Sequence, residues 1–197
     1  MRNFLPLFGL SPHRNVLRSY CRLHLLHPEL RRLLKEGHLT PASAEHLAQT
    51  TPEVQAGVVP VWGKLHLSAS RQREVLDLGE DLAALSGTTL AGVLTDPEIL
   101  AIAEDARLSP PQRGEKIHAV LYRRRNPRLS KAKETFLAGE AALELPGTIR
   151  LSPDPYFETP RLRVEFEAVS APAFREAVAA LEHAGRTAAL DRLFEIS

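Results

Sequence analysis

The sequence predicts a mainly α-helical protein: a multi-helical domain with a helix-turn-helix at its amino end, followed by a small α+β module of order β-β-α-α. Three observations carry that prediction. A capping residue followed by proline recurs as Ser11-Pro12, Thr40-Pro41, Thr51-Pro52, Asp96-Pro97 and Ser109-Pro110. Each pair spells a helix start, because the cap accepts from orphan backbone amides while proline, lacking an N–H, suits the first helical position. Apolar residues between these starts recur three and four apart, the period of one helix face. After Leu145-Pro146-Gly147 the period falls to two: Leu162, Val164 and Phe166 alternate with Arg161, Arg163, Glu165 and Glu167, the pattern of a half-buried strand.

Phe4, Leu5, Leu7 and Phe8 supply a short first helix that Gly9 ends. A second helix is expected over 11–25, where Arg14, Arg18 and Arg22 recur every four residues and Val16, Tyr20 and Leu23 follow another face, so one face is basic and the other apolar. Cys21 lies inside it and is expected as a packing residue. A helix over 28–36 turns Leu30, Leu33 and Leu34 inward and stops at Gly37, a natural left-handed terminator. Short helices follow over 41–49 and from Pro52 towards Trp62, the latter expected to be irregular because of Gly57 and Pro60. Ser68 caps a helix over 69–85 with Val75, Leu78, Leu82 and Leu85 on one side and Arg71 and Arg73 near its start.

Residues 87–96 read as a small-residue connection with an amphipathic turn at Leu90 to Leu94, and 97–106 as a helix bearing Ile99, Leu100 and Ile102. Ser109 and Gln112 have capping-box spacing and open a helix to about Arg125 that buries Ile117, Val120 and Leu121. A further helix is expected over 131–143. Strands over 148–151 and 161–168 are joined by SPDPYFETP, and helices over 172–183, with Phe174, Val178 and Leu181 apolar, and 187–194 close the chain. Two strands alone are marginal in water, so their edge is expected under the module's own helices or against a second copy, in a homodimer. The domains expected are 1–86, 87–145 and 146–197.

With 44% hydrophobic residues in a chain of 197, a packed core is expected. No apolar run spans a bilayer and no signal-peptide pattern opens the chain, so a cytoplasmic, nucleoid-associated protein without membrane contact is expected. A single cysteine excludes an internal disulfide. The sequence has no Gly-rich phosphate loop, nucleophile elbow or zinc spacing, hence neither an enzyme nor a bound cofactor is expected. His24 with His27, and Asp77, Glu80 and Asp81, are read as ordinary helix-face residues and not as metal ligands.

The net charge of +1 is segregated: residues 1–75 carry +5, 76–106 carry −7, 107–133 carry +8 and 134–197 carry −5. Two basic blocks around an acidic one point to particular surfaces that meet a polyanion. Arg123, Arg124 and Arg125, then Arg128 and Lys131, form the densest run. Such a run suits either a helix C-terminus or duplex phosphates.

The order GLSPHRNVLRSYCRLHLLHPELRRLLKEGHLT, the ASAEHLA helix, then PEVQAGV and KLHLSASRQREVL resembles the central helix-turn-helix domain of ParB/KorB partition proteins, over about residues 3–85. The matching parts are the turn at Gly9, the basic helix from Arg14, the leucine-rich stretch to Gly37, the small-residue helix at Ala42 to Ala48, and Leu67 to Arg73. The resemblance implies duplex-DNA binding, dimerisation through a C-terminal domain and a partition ATPase as partner. The family's nucleotide-binding domain has no counterpart in these residues. On this reading Ser11, His13, Arg14, Asn15 and Arg18 face the major groove, where Asn reads adenine and Arg reads guanine. Arg22, Arg71, Arg73, Arg123, Arg124, Arg125, Arg128 and Lys131 hold phosphates. The alternative is a protein-interaction adaptor that uses the acidic segment and the C-terminal module. If the division of roles holds, Arg14→Ala relaxes preference at one base pair in a competition gel shift. Loss of affinity without loss of preference would assign Arg14 to the backbone instead.

Overall fold

A computed structural model describes residues 21–196. The short first helix and most of the second, with Ser11, His13, Arg14, Asn15 and Arg18, lie outside the described residues. The chain is mainly helical with one small antiparallel sheet. It divides into two compact units between Arg125 and Asn126.

In the first unit Cys21 and Arg22 are helical, and a 3-10 turn at Leu23–Leu25 leads to α1, Pro28–Lys35. There follow α2, Pro41–Leu47; α3, Pro52–Trp62; α4, Ala69–Ser86; α5, Leu90–Leu94; α6, Pro97–Glu104; and α7, Pro110–Arg125. Caps expected among the described residues are seen in atomic detail. Thr40, Thr51, Ser68 and Asp96 each accept a backbone N–H of their helix's first turn. Gln112 Oε1 accepts from both the amide and the hydroxyl of Ser109. Gly37 sits at φ +79°, the left-handed conformation that lets the chain leave α1 without a Cβ clash.

The core of this unit is built from Leu30, Leu47, Val58, Val61, Trp62, Val75, Leu94, Ile99, Ile117 and Leu121, none more than 1% exposed. The α3 helix packs on α5 and α6, and α4 packs on α5 and α7. Two buried amides lock the connections. Gln72 Oε1 accepts from Thr40 N at 2.9 Å while its Nε2 donates to the carbonyls of His38 at 3.0 Å and Leu67 at 3.1 Å. Gln55 Oε1 accepts from His27 N at 2.7 Å and its Nε2 donates to the carbonyl of Thr50. Both side chains satisfy loop groups that burial would otherwise leave unpaired.

The second unit contains α8, Pro127–Ala141; β1, Ile149–Pro153; β2, Leu162–Phe166; α9, Ala171–Ala184; and α10, Ala188–Phe194. The strands pair antiparallel with Ile149 opposite Phe166 and Leu151 opposite Val164. Phe136, Leu143, Leu151, Phe157, Ala184, Ala189 and Leu193 form its core. Among the described residues no helix is long and apolar enough to cross a membrane.

Several expectations are corrected. The α3 helix is continuous through Gly57 and Pro60. The carbonyl that Pro60 leaves unbonded belongs to Ala56, which is exposed and can be solvated. Of the stripe expected on α4, Val75 and Leu82 are buried and Leu78 is half-buried against the core, but Leu85 is 70% exposed, because the buried stripe runs through Gln72, Val75, Leu76, Gly79, Leu82 and Ala83. Cys21 is exposed. The α8 helix starts at Pro127, after another cap-proline pair, Asn126-Pro127. Phe174 and Val178 of α9 are 52% and 44% exposed. The region 87–145 is not one extension: α5 to α7 belong to the first unit, α8 to the second, since the former bury against α3 and α4 and the latter against α10.

Gly57 is required by close approach, because a Cβ there would lie 2.5 Å from Ala91 Cβ. Gly57→Ala is expected to cost about 1–3 kcal/mol through overpacking, read as a lower denaturation midpoint. Gly147→Ala, which meets open space, serves as the neutral comparison.

Candidate nucleic-acid interface

The α7 helix ends on Arg123, Arg124 and Arg125, where the unpaired carbonyls of a helix C-terminus attract cations. The α6 helix packs on it and begins with the Asp96 cap and Glu98, where the exposed amides attract anions. The two ends are brought together. Arg124 Nη2 donates to Asp96 Oδ1 at 2.8 Å and to Glu98 Oε2 at 2.6 Å. Arg123 Nη2 reaches Glu98 Oε1 at 2.9 Å, and Arg125 Nε reaches Asp81 Oδ2 of α4 at 2.8 Å. Charge-assisted bonds to Arg124 hold the Asp96 and Glu98 carboxyls below their usual range and raise Arg124.

Arg71 is engaged in the same way. Its Nε donates to Glu115 Oε1 at 3.0 Å, and its Nη1 bonds Glu74. His118 lies against this group with its side chain 15% exposed, 2.9 Å from Glu74 Oε2. Burial and the neighbouring Arg71 lower its pKa, against the pull of Glu74 and Glu115. Four of the expected phosphate contacts, Arg71 and Arg123 to Arg125, therefore spend their charge on carboxylates of their own unit. The partners of Arg123 to Arg125, at the start of α6 and on α4, lie 25 to 44 residues away in the chain and no local pattern reveals them, whereas Arg71 has one partner three residues on, Glu74, and one 44 residues on, Glu115.

The remaining expected contacts are distributed differently. Arg22 is exposed at the end of the Cys21-Arg22 helical turn, and Arg73 is exposed on α4; neither has a carboxylate partner among the described residues. Arg128 and Lys131 are exposed on α8, in the second unit. The run from Arg123 to Lys133 is thus not one patch within a unit. Two of the three acidic helix-face residues have partners as well: Glu80 Oε1 lies 2.7 Å from His46 Nε2, and Asp81 holds Arg125.

Two residues escaped the sequence reading. Arg31 and Lys35 stand one turn apart on α1, exposed and without a carboxylate partner among the described residues, and line a shallow depression of about 380 Å³ with Pro28 and Arg32. Arg32, between them, is held by Glu29 at 3.0 Å and Glu36 at 2.9 Å. The spacing of Arg31 and Lys35 is itself the signal, since residues four apart share a helix face. Comparison of the chain with protein-family models, curated proteins and solved structures finds no match.

The Asp96 to Arg124 contact makes a pH-dependent prediction. A depressed folded pKa contributes stability that is present above the ordinary aspartate range and is lost as pH falls through the folded value. Arg124→Ala should lower Tm by a few degrees at pH 7. The gap to the unaltered protein should close as pH falls below about 4. A gap that stays constant down to pH 2 in thermal melts would show that the lost contribution is packing, not charge.

Proposed function

We propose that the chain is a duplex-DNA-binding protein, not an enzyme, that docks through its amino-terminal basic face. The observation that carries this reading is the contrast in how cations are used. Arg22, Arg31, Lys35 and Arg73 keep their charge uncompensated by carboxylates among the described residues, while Arg71 and Arg123 to Arg125 do not. Uncompensated surface cations are the ones that release counterions from a duplex. Arg22 continues the spacing of Arg14 and Arg18, which would read bases with Ser11, His13 and Asn15 from the front of the same helix, as the resemblance to ParB/KorB proteins implies. Arg31 and Lys35 join Arg22 and Arg73 as phosphate contacts. The resemblance also carries the proposal of a partition ATPase as partner and of a place on the nucleoid.

A homodimer forms part of the same reading. Antiparallel pairing of β2 with its own copy about Val164 sets Arg163 opposite Glu165 and Leu162 opposite Phe166, so both charge and apolar content are self-complementary. An adaptor would draw on the acidic segment and the C-terminal module; in that segment Asp81, Asp96, Glu98, Glu104 and Asp105 bind cations of their own unit.

The test is a titration against random duplex at about 50 and 200 mM salt. The unaltered protein should bind with a steep salt slope. Arg31→Glu with Lys35→Glu should weaken every sequence alike by about tenfold or more, with the slope reduced by about two. Salt-insensitive or absent retention of the unaltered protein would overturn the proposal.

A further inference from the structure

The second unit carries a depression of about 990 Å³ lined by Arg128, Lys131, Arg192, Tyr156, Glu158 and Glu195, among others. Its construction is unusual at one point. Phe157 has φ +54°, a conformation that costs a bulky side chain energy and persists only where its surroundings impose it. The imposition is visible. The Phe157 ring is 8% exposed and meets Phe136 edge-on at 6.1 Å, and its amide donates to the Asp154 carbonyl at 3.1 Å. Asp154 also accepts from Tyr156 N at 3.0 Å and from Thr159 Oγ1 at 2.9 Å, and its own amide closes the loop on the Arg161 carbonyl. With Phe157 anchored inward, the neighbouring Tyr156 is presented at 71% exposure from a loop that Pro153, Pro155 and Pro160 stiffen.

We infer that this depression binds single-stranded nucleic acid, with Tyr156 stacking on a base and Arg128, Lys131 and Arg192 receiving the flanking phosphates. Arg128 and Lys131 are exposed and have no carboxylate partner among the described residues. Arg192 gives its Nε to the Ala188 carbonyl at 3.2 Å and lines the same depression. Glu158 and Glu195 on the same lining leave a surplus of one positive charge. That small surplus suits a ligand held by an aromatic face together with a few phosphates better than a bare polyanion. A ring on a fixed backbone loses less freedom on stacking than one on a loose loop, and every base offers a face to it. The site lies wholly in the second unit and stands independently of the duplex reading of the first.

The test is fluorescence anisotropy of a labelled oligothymidylate of about twenty nucleotides on the full chain. The same measurement is made with an abasic phosphodiester polymer of equal length, and with polyglutamate as competitor. The protein should bind the oligothymidylate. Tyr156→Ala should weaken it about fivefold or more, the lower end of what one stacked base contributes, and leave the abasic polymer unchanged. Tyr156→Phe, which keeps the ring, should restore binding. Arg128→Ala with Lys131→Ala should weaken both polymers. Arg31→Glu with Lys35→Glu in the first unit should leave the effect of Tyr156→Ala intact, which separates this site from the duplex surface. No binding of oligothymidylate, equal binding by Tyr156→Ala, or displacement by polyglutamate as effective as by unlabelled oligothymidylate would overturn the inference. The last outcome would assign the depression to an acidic protein segment.

Discussion

The first unit depends on the meeting of two helix ends of opposite sign. Asp96 caps α6 and at the same time receives Arg124 from the last turn of α7, so one carboxylate satisfies an orphan amide, an N-terminal dipole and a guanidinium. Glu98 takes the second bond from Arg124 and one from Arg123, and Asp81 takes Arg125. Three arginines in succession would repel one another and face the same solvent if left alone. Distributed over carboxylates from α4 and α6, they hold the end of α7 against both helices.

This arrangement changes what the charge segregation of the chain signifies. An acidic block of −7 followed by a basic block of +8 looks like two surfaces offered to different partners. Much of it is instead one internal neutralisation, with Lys64 on Glu104 and Arg71 on Glu74 and Glu115 extending it. Partly exposed pairs of this kind contribute little stability each, but they remove charge from the outer field. Among the described residues, exposed cations without a carboxylate partner include Arg22, Arg31, Lys35, Arg73 and Lys116 in the first unit and Arg128, Lys131, Arg150, Arg161 and Arg175 in the second.

The units differ in how their polar interiors are handled. In the first, Gln55 and Gln72 reach across the core edge to the connections around α1, α2 and α4, and every bond they make goes to backbone. In the second, the polar investment is in a surface loop, where Asp154 organises three groups around a residue in a left-handed conformation. The former stabilises a scaffold, and the latter holds an aromatic ring out to solvent.

The sequence by itself determined where most of the helices begin and where the chain changes from helix to strand. Caps, prolines and glycines act through bonds to residues within one turn, so Thr40, Thr51, Ser68, Asp96 and Ser109 could be read without knowing the fold. It also determined the alternation that makes β2 a strand. Only the tertiary structure decided which arginines are spent and which remain, which row of α4 is buried, that Pro60 sits inside a continuous helix, and that the chain divides at Asn126 and not at residues 86 and 145. The pairings of Arg123 to Arg125 in particular join residues 25 to 44 positions apart. A guanidinium's partner, or the neighbour that shields a helix row, is set by how helices pack and leaves no periodic trace along the chain.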